Sequence, residues 1–442
     1  MLSIIFSKKN IKFLSSSFKN FIYLFISRYL SQVITAISNI YLARTLKPES
    51  YGKITFSLAV ISYFMVLTNL GLEIVGIREI SINRNCVNKY VNIILPLRLT
   101  LALLCFIVLV VLAHFIDKFS DVKTIIILYG LYLFPFSIML NWVFQGLEQM
   151  HYNLIAQNMN SILYTLLILL FVKNTTDILK VPLFYFISGM VASLFLIFKY
   201  LTFEDIKPAL YVKEWKRLLK LSLPAGLGLL LSNIYYGFDT IILKFFRNMS
   251  EVGLYSGAFK IIMFISPISV LVFNSVLPSA SNMYISPSKE NLKGTLSNLL
   301  WLLLFISLFI LTFVIIFAKP IINLAYGINY LSSSQSLSIL IISILFQFLT
   351  APYWVFLIAS GNYKYWMYSI AIGSSTNLIF NIILVPVWGM VGASISYVLT
   401  HFFIFIYSFQ TVEKKLHFPL YHFSYAKHNI LTKFIKNKMY QK

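Results

Sequence analysis

Apolar runs of about 20 residues recur along the chain from Phe18 to Phe409, and short polar gaps separate them. A helix needs about 20 apolar residues to cross a bilayer. Runs such as LLCFIVLVVL do not alternate every second residue, as the strands of a membrane barrel do. The pattern predicts an all-α polytopic membrane protein with about twelve transmembrane helices. We place them at residues 20–43, 53–76, 91–116, 122–145, 153–172, 181–203, 218–245, 253–284, 295–318, 333–357, 363–384 and 389–411.

The longest polar gap, EDIKPALYVKEWKRLLK, divides these helices into six and six. A shift of 215 residues lays Gly146 over Gly361 and Ala156 over Ala371, with coinciding apolar ends, which suggests an internal repeat. Parallel repeats of this kind are common in secondary transporters. We therefore predict two six-helix lobes around a central cavity. Their bounds are 1–203 for the N-lobe, 204–217 for a cytoplasmic linker, 218–412 for the C-lobe and 413–442 for a basic cytoplasmic tail.

The composition supports a membrane protein, because 59% of the residues are hydrophobic and only 11% are charged. The net charge of +22 would suggest a nucleic-acid partner in a soluble chain. In a polytopic chain the excess of Lys and Arg belongs to cytoplasmic loops. With the N-terminus inside, 23 of the 36 basic residues lie on the inner side and 10 on the outer side. We therefore expect both termini in the cytoplasm and no nucleic-acid partner.

Motifs for catalysis or cofactor binding are absent from the sequence. There is no GxxxxGK[ST] nucleotide loop and no HExxH metal motif. The two cysteines, Cys86 and Cys105, fall in a predicted loop and a predicted helix, so they form no metal-binding pair. We expect neither a cofactor nor a metal, and not an enzyme.

Several predicted helices carry polar residues at helical spacing. Such a stripe faces either a neighbouring helix, to which it hydrogen-bonds, or a water-filled cavity. Stripes in the first and seventh helices together favour a cavity, and Gln32, Asn233 and Asn377 are its candidate substrate contacts. The stripes are Arg28, Ser31, Gln32, Thr35 and Asn39 in the first helix, Ser232, Asn233, Tyr236 and Asp239 in the seventh, and Ser369, Gly373, Asn377 and Asn381 in the eleventh.

Charged residues inside spans are more informative, since each costs about 3 kcal/mol or more at the centre of a bilayer. Arg28 and Arg98 lie about two turns from the cytoplasmic ends of their helices, so each either snorkels to the interface or faces a cavity. Asp239 and Lys260 lie at similar depth in adjacent helices. They either neutralise each other or serve transport. All four are candidate substrate-binding residues.

Specific motifs resemble the O-antigen (Wzx-type) polysaccharide flippases of the multidrug/oligosaccharidyl-lipid/polysaccharide (MOP) superfamily. Asn377 to Tyr397 is similar to that family's Asn-rich eleventh helix and the entry to its twelfth. Two positions depart from the family: Lys47 stands where it usually has Gly, and Asn69 where many members have Asp. The other matching motifs are Ala43-Arg44, Pro48-Glu49-Ser50-Tyr51-Gly52, Leu70-Gly71-Leu72, Arg78-Glu79 and Tyr326-Gly327-Ile328-Asn329-Tyr330.

The resemblance implies alternating access that moves an undecaprenyl-pyrophosphate-linked oligosaccharide from the cytoplasmic to the periplasmic leaflet of a bacterial inner membrane. Lys260 and Arg28 are similar in place to cationic cavity residues of the related lipid II flippases. Besides this substrate and membrane lipid, other membrane proteins of polysaccharide assembly are candidate partners. Two other functions stay open at this point: an ion-coupled drug or metabolite exporter of the same superfamily, and a membrane polysaccharide polymerase.

Overall fold

The computed structural model describes residues 8–204, 206, 212–285 and 289–420, and the side chains of these except at 8–29, 212, 213, 235, 236, 289 and 290. Within these ranges every regular element is a helix, which confirms the predicted all-α class. The side chain of Arg28 and most of the predicted basic tail lie outside the described residues.

Contacts divide the chain into two compact units, Met1–Leu230 and Leu231–Lys442. The division falls inside one long helix, α9. The first unit contains α1 Lys8–Asn69, α2 Leu72–Ile82, α3 Val87–Phe115, α4 Lys123–Gly130, α5 Leu133–Ile138, α6 Asn141–Gly146, α7 Met150–Phe171, α8 Lys180–Leu201 and the start of α9 Val212–Phe246. The second contains the end of α9, α10 Met249–Ile265, α11 Pro267–Ile285, α12 Lys289–Tyr326, α13 Ser333–Leu340, α14 Ile342–Ala359 and α15 Tyr363–Gln410. The predicted linker at 204–217 stays a prediction.

Nine stretches of the described chain are long and apolar enough to cross a membrane, or ten when the two bent parts of α9 count as one span. Two of the nine, Leu30–Asn69 and Tyr363–Lys415, have 40 and 53 residues, about twice the length of one span. Each contains a backbone break, at Lys47 and at Gly389. Counting the two halves separately gives the predicted twelve spans, so the protein is a multi-pass membrane protein.

Prolines interrupt two spans that the hydrophobic pattern predicts as continuous helices. The predicted span 122–145 is three short helices, α4 to α6, with Pro135 in the middle one. The predicted span 253–284 is broken where α11 begins at Pro267. A proline has no backbone N–H to donate to the preceding helical turn, and its ring clashes with a carbonyl group of that turn. The hydrophobic pattern alone does not predict these breaks.

The break in α1 has an unfavourable residue at its centre. Lys47 has φ 62° and ψ 168°, a conformation that glycine adopts readily and other residues rarely do. Pro48 follows it and cannot continue the helix. The family that this sequence resembles usually has glycine at this position, and glycine would adopt the same backbone conformation without strain.

Replacing Lys47 by glycine is therefore expected to stabilise the folded protein by about 1 kcal/mol, because it removes backbone strain. The measurement is the thermal unfolding midpoint of the purified protein, with Lys53→Gly as the control within a helix. Glycine should lower the midpoint at Lys53, since it disfavours helix interiors. An unchanged or lowered midpoint for Lys47→Gly would show that the backbone of Lys47 is not strained.

A polar clamp holds the break in α15. Arg247 Nη2 donates to the carbonyl oxygens of Pro386 and Val387, each at 2.9 Å. Glu251 Oε2 accepts the backbone N–H of Met390 at 3.2 Å. Gly389 has φ 54°, and a Cβ there would overlap Glu251 Oε2. The clamp thus satisfies backbone groups that the break leaves without helical partners.

Candidate functional site

Arg98 joins three helices of the first unit. The side chain projects from α3 and is fully buried. Its Nη2 lies 3.1 Å from Glu73 Oε1 on α2 and donates to the carbonyl oxygen of Phe136 at 2.7 Å, while Nη1 donates to that of Met139 at 3.2 Å. Those carbonyls lie where α5 ends, and the Phe136 oxygen has only a long backbone hydrogen bond, from Met139 N–H at 3.4 Å. The guanidinium adds stronger donors at this helix end.

This arrangement rules out the snorkelling interpretation of Arg98, because a snorkelling side chain reaches the interface and this one is buried. Glu73 is its ion-pair partner rather than a free surface group. In this conformation both terminal nitrogens of Arg98 are bonded to protein oxygens. Its predicted contact with substrate stays a prediction.

A polar cavity of about 570 Å³ lies in the same unit, beside the α5–α6 break. Five carboxamide side chains line it, and no charged residue does among those whose side chains the structure describes, a set that leaves out Arg28. Asn153 donates through Nδ2 to the carbonyl oxygen of Asn141 at 2.8 Å, which ties α7 to α6. The Oδ1 atoms of Asn153 and Asn160 are buried and have no hydrogen-bond partner among the described residues. The five carboxamides belong to Asn141, Gln145, Asn153, Gln157 and Asn160.

The carboxamide cavity was not among the predicted sites, although the sequence contains a signal for it. Asn153, Gln157 and Asn160 follow the spacing i, i+4, i+7, which places them on one face of α7. Asn141 and Gln145 repeat the i, i+4 spacing on α6. Charged residues inside spans gave the stronger signal, and none lies in the described lining of this cavity.

Two residues of the first-helix stripe hydrogen-bond to α7. The hydroxyls of Ser31 and Ser161 lie 2.9 Å apart, and Thr35 Oγ1 donates to Ser161 Oγ at 3.4 Å. These contacts support the interhelical interpretation for two of its members. Gln32 on α1 and Asn233 on α9 are half-buried. Their contact with substrate stays a prediction.

Asp239 is the centre of a hydrogen-bonded group in the second unit. Its carboxylate is 1% exposed on α9. Oδ1 accepts from Nδ2 of Asn377 at 2.9 Å and from Nδ2 of Asn381 at 2.5 Å, and Oδ2 accepts from the Tyr255 hydroxyl at 2.9 Å. The i, i+4 spacing of the two asparagines on α15 points both at this acid. The structure thus brings together two predicted site residues, Asp239 and Asn377.

The neutralising pair of Asp239 with Lys260 is not formed. Neutral donors surround the carboxylate, and no ion pair to it occurs in the described part of the chain. Lys260 is half-buried on α10. Its ammonium makes no hydrogen bond or ion pair to any residue that the structure describes. A cation left unpaired in a membrane span is costly, and such groups usually mark a pathway for ions or substrates.

Comparisons with known proteins agree with this fold. Residues 17–284 match the family described as "Polysaccharide biosynthesis protein", and residues 224–383 match the MatE family. The chain is 26% identical over 274 residues to a putative O-antigen transporter of Shigella dysenteriae, covering 60% of this chain and 67% of that protein. It is 21% identical over 399 residues to the capsular polysaccharide biosynthesis protein CapF of Staphylococcus aureus, covering 87% of this chain and 96% of that protein.

Solved structures share the architecture. The inward closed lipid II flippase MurJ is similar with a TM-score of 0.72 and 16% identity, over 89% of this chain and 88% of that one. An inward-facing multidrug resistance MATE transporter is similar with a TM-score of 0.71 and 16% identity, over 87% of this chain and 94% of that one. The family match covers more than half of the sequence. The chain therefore belongs to the polysaccharide biosynthesis protein family and has the fold of MOP-superfamily transporters.

Proposed function

We propose that the protein is a flippase that moves undecaprenyl-pyrophosphate-linked oligosaccharide repeat units, of the O-antigen kind, from the cytoplasmic to the periplasmic leaflet of a bacterial inner membrane. It works by alternating access, with both termini in the cytoplasm. The observation that carries the proposal is the neutral carboxamide cavity within a membrane-spanning unit. The names of the Shigella and Staphylococcus relatives also support a polysaccharide role.

The chemistry of the carboxamide cavity suits a glycan. Each Asn or Gln side chain offers two N–H donors and one carbonyl acceptor, and sugar hydroxyls need both. The exposed carboxamides of Gln145 and Gln157 would exchange hydrogen bonds with the hydroxyls of a sugar. The volume of about 570 Å³ falls within the range of pockets that hold small ligands. A cationic drug, by contrast, would favour a carboxylate, and no carboxylate lines this cavity among the described residues; its one aromatic lining residue is Tyr132.

The diphosphate of the substrate needs a different partner. An ammonium or guanidinium binds phosphate oxygens through charge-assisted hydrogen bonds, which are about twice as strong as neutral ones. Lys260 is the proposed cation, since its ammonium has no protein partner in the described chain. Arg28 remains a proposed first contact on the cytoplasmic side. Asp239 is the proposed group whose protonation accompanies transport, because its carboxylate is buried and held only by neutral donors.

One observation favours a second function, an ion-coupled exporter of drugs or metabolites. Residues 224–383 match the MatE family, and the MATE transporter has nearly the same TM-score as the flippase. The two functions differ in which property the protein restores to a deficient cell. A drug exporter would restore drug tolerance to an efflux-deficient host and leave the glycan unaffected. A flippase would restore the surface glycan and leave drug tolerance unaffected.

The double substitution Gln157→Leu and Asn160→Leu tests the carboxamide cavity. We expect glycan export to fall about tenfold or more, since each lost hydrogen bond to a neutral group is worth about 1 kcal/mol. The assay supplies the glycan genes to a strain that lacks its own O-antigen flippase and measures surface polysaccharide at equal protein level. Gln410→Leu makes the same change at an exposed position at the end of α15 and should leave export unchanged. Equal export by both variants would contradict the proposed role.

A further inference from the structure

A second cavity, of about 220 Å³, lies within the second unit among α11, α14 and α15. It shares no residue with the group around Asp239. Its walls are mainly apolar, with aromatic, aliphatic and neutral polar side chains, and include no acid, lysine or arginine among the described residues. The lining side chains used below are Phe273, Asn274, Gln347, Trp354, Trp366 and His401.

Two tryptophans form adjoining walls of this cavity. The rings of Trp354 and Trp366 have centroids 6.2 Å apart and planes at 81°. A flat ring that stacks on the face of one indole is therefore roughly perpendicular to the other indole. Both indole Nε1 atoms are beyond the reach of solvent and have no hydrogen-bond partner among the described residues. The indoles therefore contribute ring surface to the cavity and no hydrogen-bond donor.

An interfacial aromatic belt does not account for this pair. Trp354 and Trp366 do flank the short connection between α14 and α15, where belt residues are expected. A belt tryptophan, however, directs its N–H to water or headgroups while its ring contacts lipid. Trp388 fits that description better, since its side chain is 53% exposed. The N–H groups of Trp354 and Trp366 are enclosed by protein instead.

Neutral polar groups complete the cavity. Nε2 of Gln347 and Nε2 of His401 lie 3.1 Å apart, so the pair holds one side of the wall. Asn274 adds a carboxamide with donors and an acceptor. An engineered apolar cavity of about 150 Å³ accommodates benzene. The volume of about 220 Å³ therefore suits a single six-membered ring with small polar substituents.

We propose that this cavity binds one pyranose ring, with the C–H surface of the sugar packed against the indole rings and the side chains of Asn274 and Gln347 hydrogen-bonding to its hydroxyls. The inference rests on the proposed function, because the natural source of such a ring is the glycan part of the lipid-linked substrate. It adds a second sugar site, in a different unit from the carboxamide cavity and built mainly on aromatic packing.

The direct test follows the indole N–H signals of the ¹⁵N-labelled wild-type protein in nanodiscs by NMR. The probes are methyl β-D-glucopyranoside, methyl β-D-galactopyranoside and N-acetylglucosamine, and cyclohexanol serves as a ring of similar size with a single hydroxyl. We expect at least one sugar to shift the signals of Trp354 and Trp366 saturably and to leave that of Trp388 in place. If no sugar shifts them, or if cyclohexanol does so equally well, the inference is overturned.

Variants supply a second readout. The double change Trp354→Leu and Trp366→Leu removes both aromatic rings, so sugar affinity should fall about tenfold or more. Trp388→Leu should leave the affinity unchanged. Undiminished affinity in the double variant would show that the indoles do not bind the sugar. Absent sugar binding with wild-type export intact would reject this site and retain the flippase, whereas sugar binding with failed export would reject the flippase and retain the site.

Discussion

Replacing Lys260 by alanine is expected to abolish glycan export and at the same time to raise the thermal stability of the protein. The ammonium lies within a membrane span, half-buried, and has no partner in the described residues. An unpaired charge in this setting costs about 3 kcal/mol. Alanine removes that cost, so the variant should fold at least as well as the wild type. Loss of export in a more stable protein would separate transport from folding.

The measurements are surface polysaccharide in the complemented strain and the unfolding midpoint of the purified protein. Lys260→Arg keeps a cation that binds phosphate, so it should retain part of the export. Lys319→Ala removes an exposed lysine from α12 and is the matched control for charge. Normal export by Lys260→Ala would show that this lysine does not hold the diphosphate. Export lost together with stability would assign it a structural role.

Replacing Arg98 by alanine should have the opposite signature, a large loss of stability. The change leaves Glu73 without its cation and removes the guanidinium hydrogen bonds to the carbonyl oxygens of Phe136 and Met139. Loss of a buried ion-pair partner and its hydrogen bonds costs about 3 kcal/mol or more, an amount that the partial exposure of Glu73 reduces. We expect a midpoint lowered by several degrees and less protein in the membrane.

Arg78→Ala is the matched control for Arg98. Arg78 also pairs with a glutamate, Glu79, but its side chain is 71% exposed. Exposed ion pairs contribute little, so this variant should unfold at nearly the wild-type temperature. Arg98→Lys should recover only part of the loss, because lysine cannot present two nitrogens in a fixed fork. A stable Arg98→Ala variant that fails in export would instead support the predicted substrate contact.

The sequence predicted the helical class and the number of spans because the cost of unpaired backbone in lipid leaves few alternatives. It did not predict how Arg98 is used, since its partners are backbone carbonyls that become available only when the span around Pro135 breaks. Hydrophobic runs report the length of a span and not its interruptions. The family resemblance nevertheless marked Lys47, whose backbone conformation explains why glycine is usual there.

The candidate site was predictable only in part. Asp239 and Asn377 were identified from polar stripes, and the structure joins them through a hydrogen bond of 2.9 Å. The tryptophan cavity was not predicted, because its lining comes from helices distant in sequence. The carboxamide cavity was not predicted either, although nearly all of its lining lies between residues 132 and 160. Trp354 and Trp366 also lie where an aromatic belt is the ordinary expectation. Only packing distinguishes an enclosed indole from one that faces headgroups.

Transfer of the substrate between leaflets in proteoliposomes tests the central claim most directly. Purified protein would be reconstituted with a tritiated undecaprenyl-pyrophosphate-linked oligosaccharide, and the fraction of glycan open to external periodate would be followed with time. The proposed function predicts that wild-type protein brings all of the labelled glycan within reach of the oxidant, whereas Lys260→Ala leaves only the outer half accessible. Equal accessibility with wild-type protein and with protein-free vesicles would contradict it.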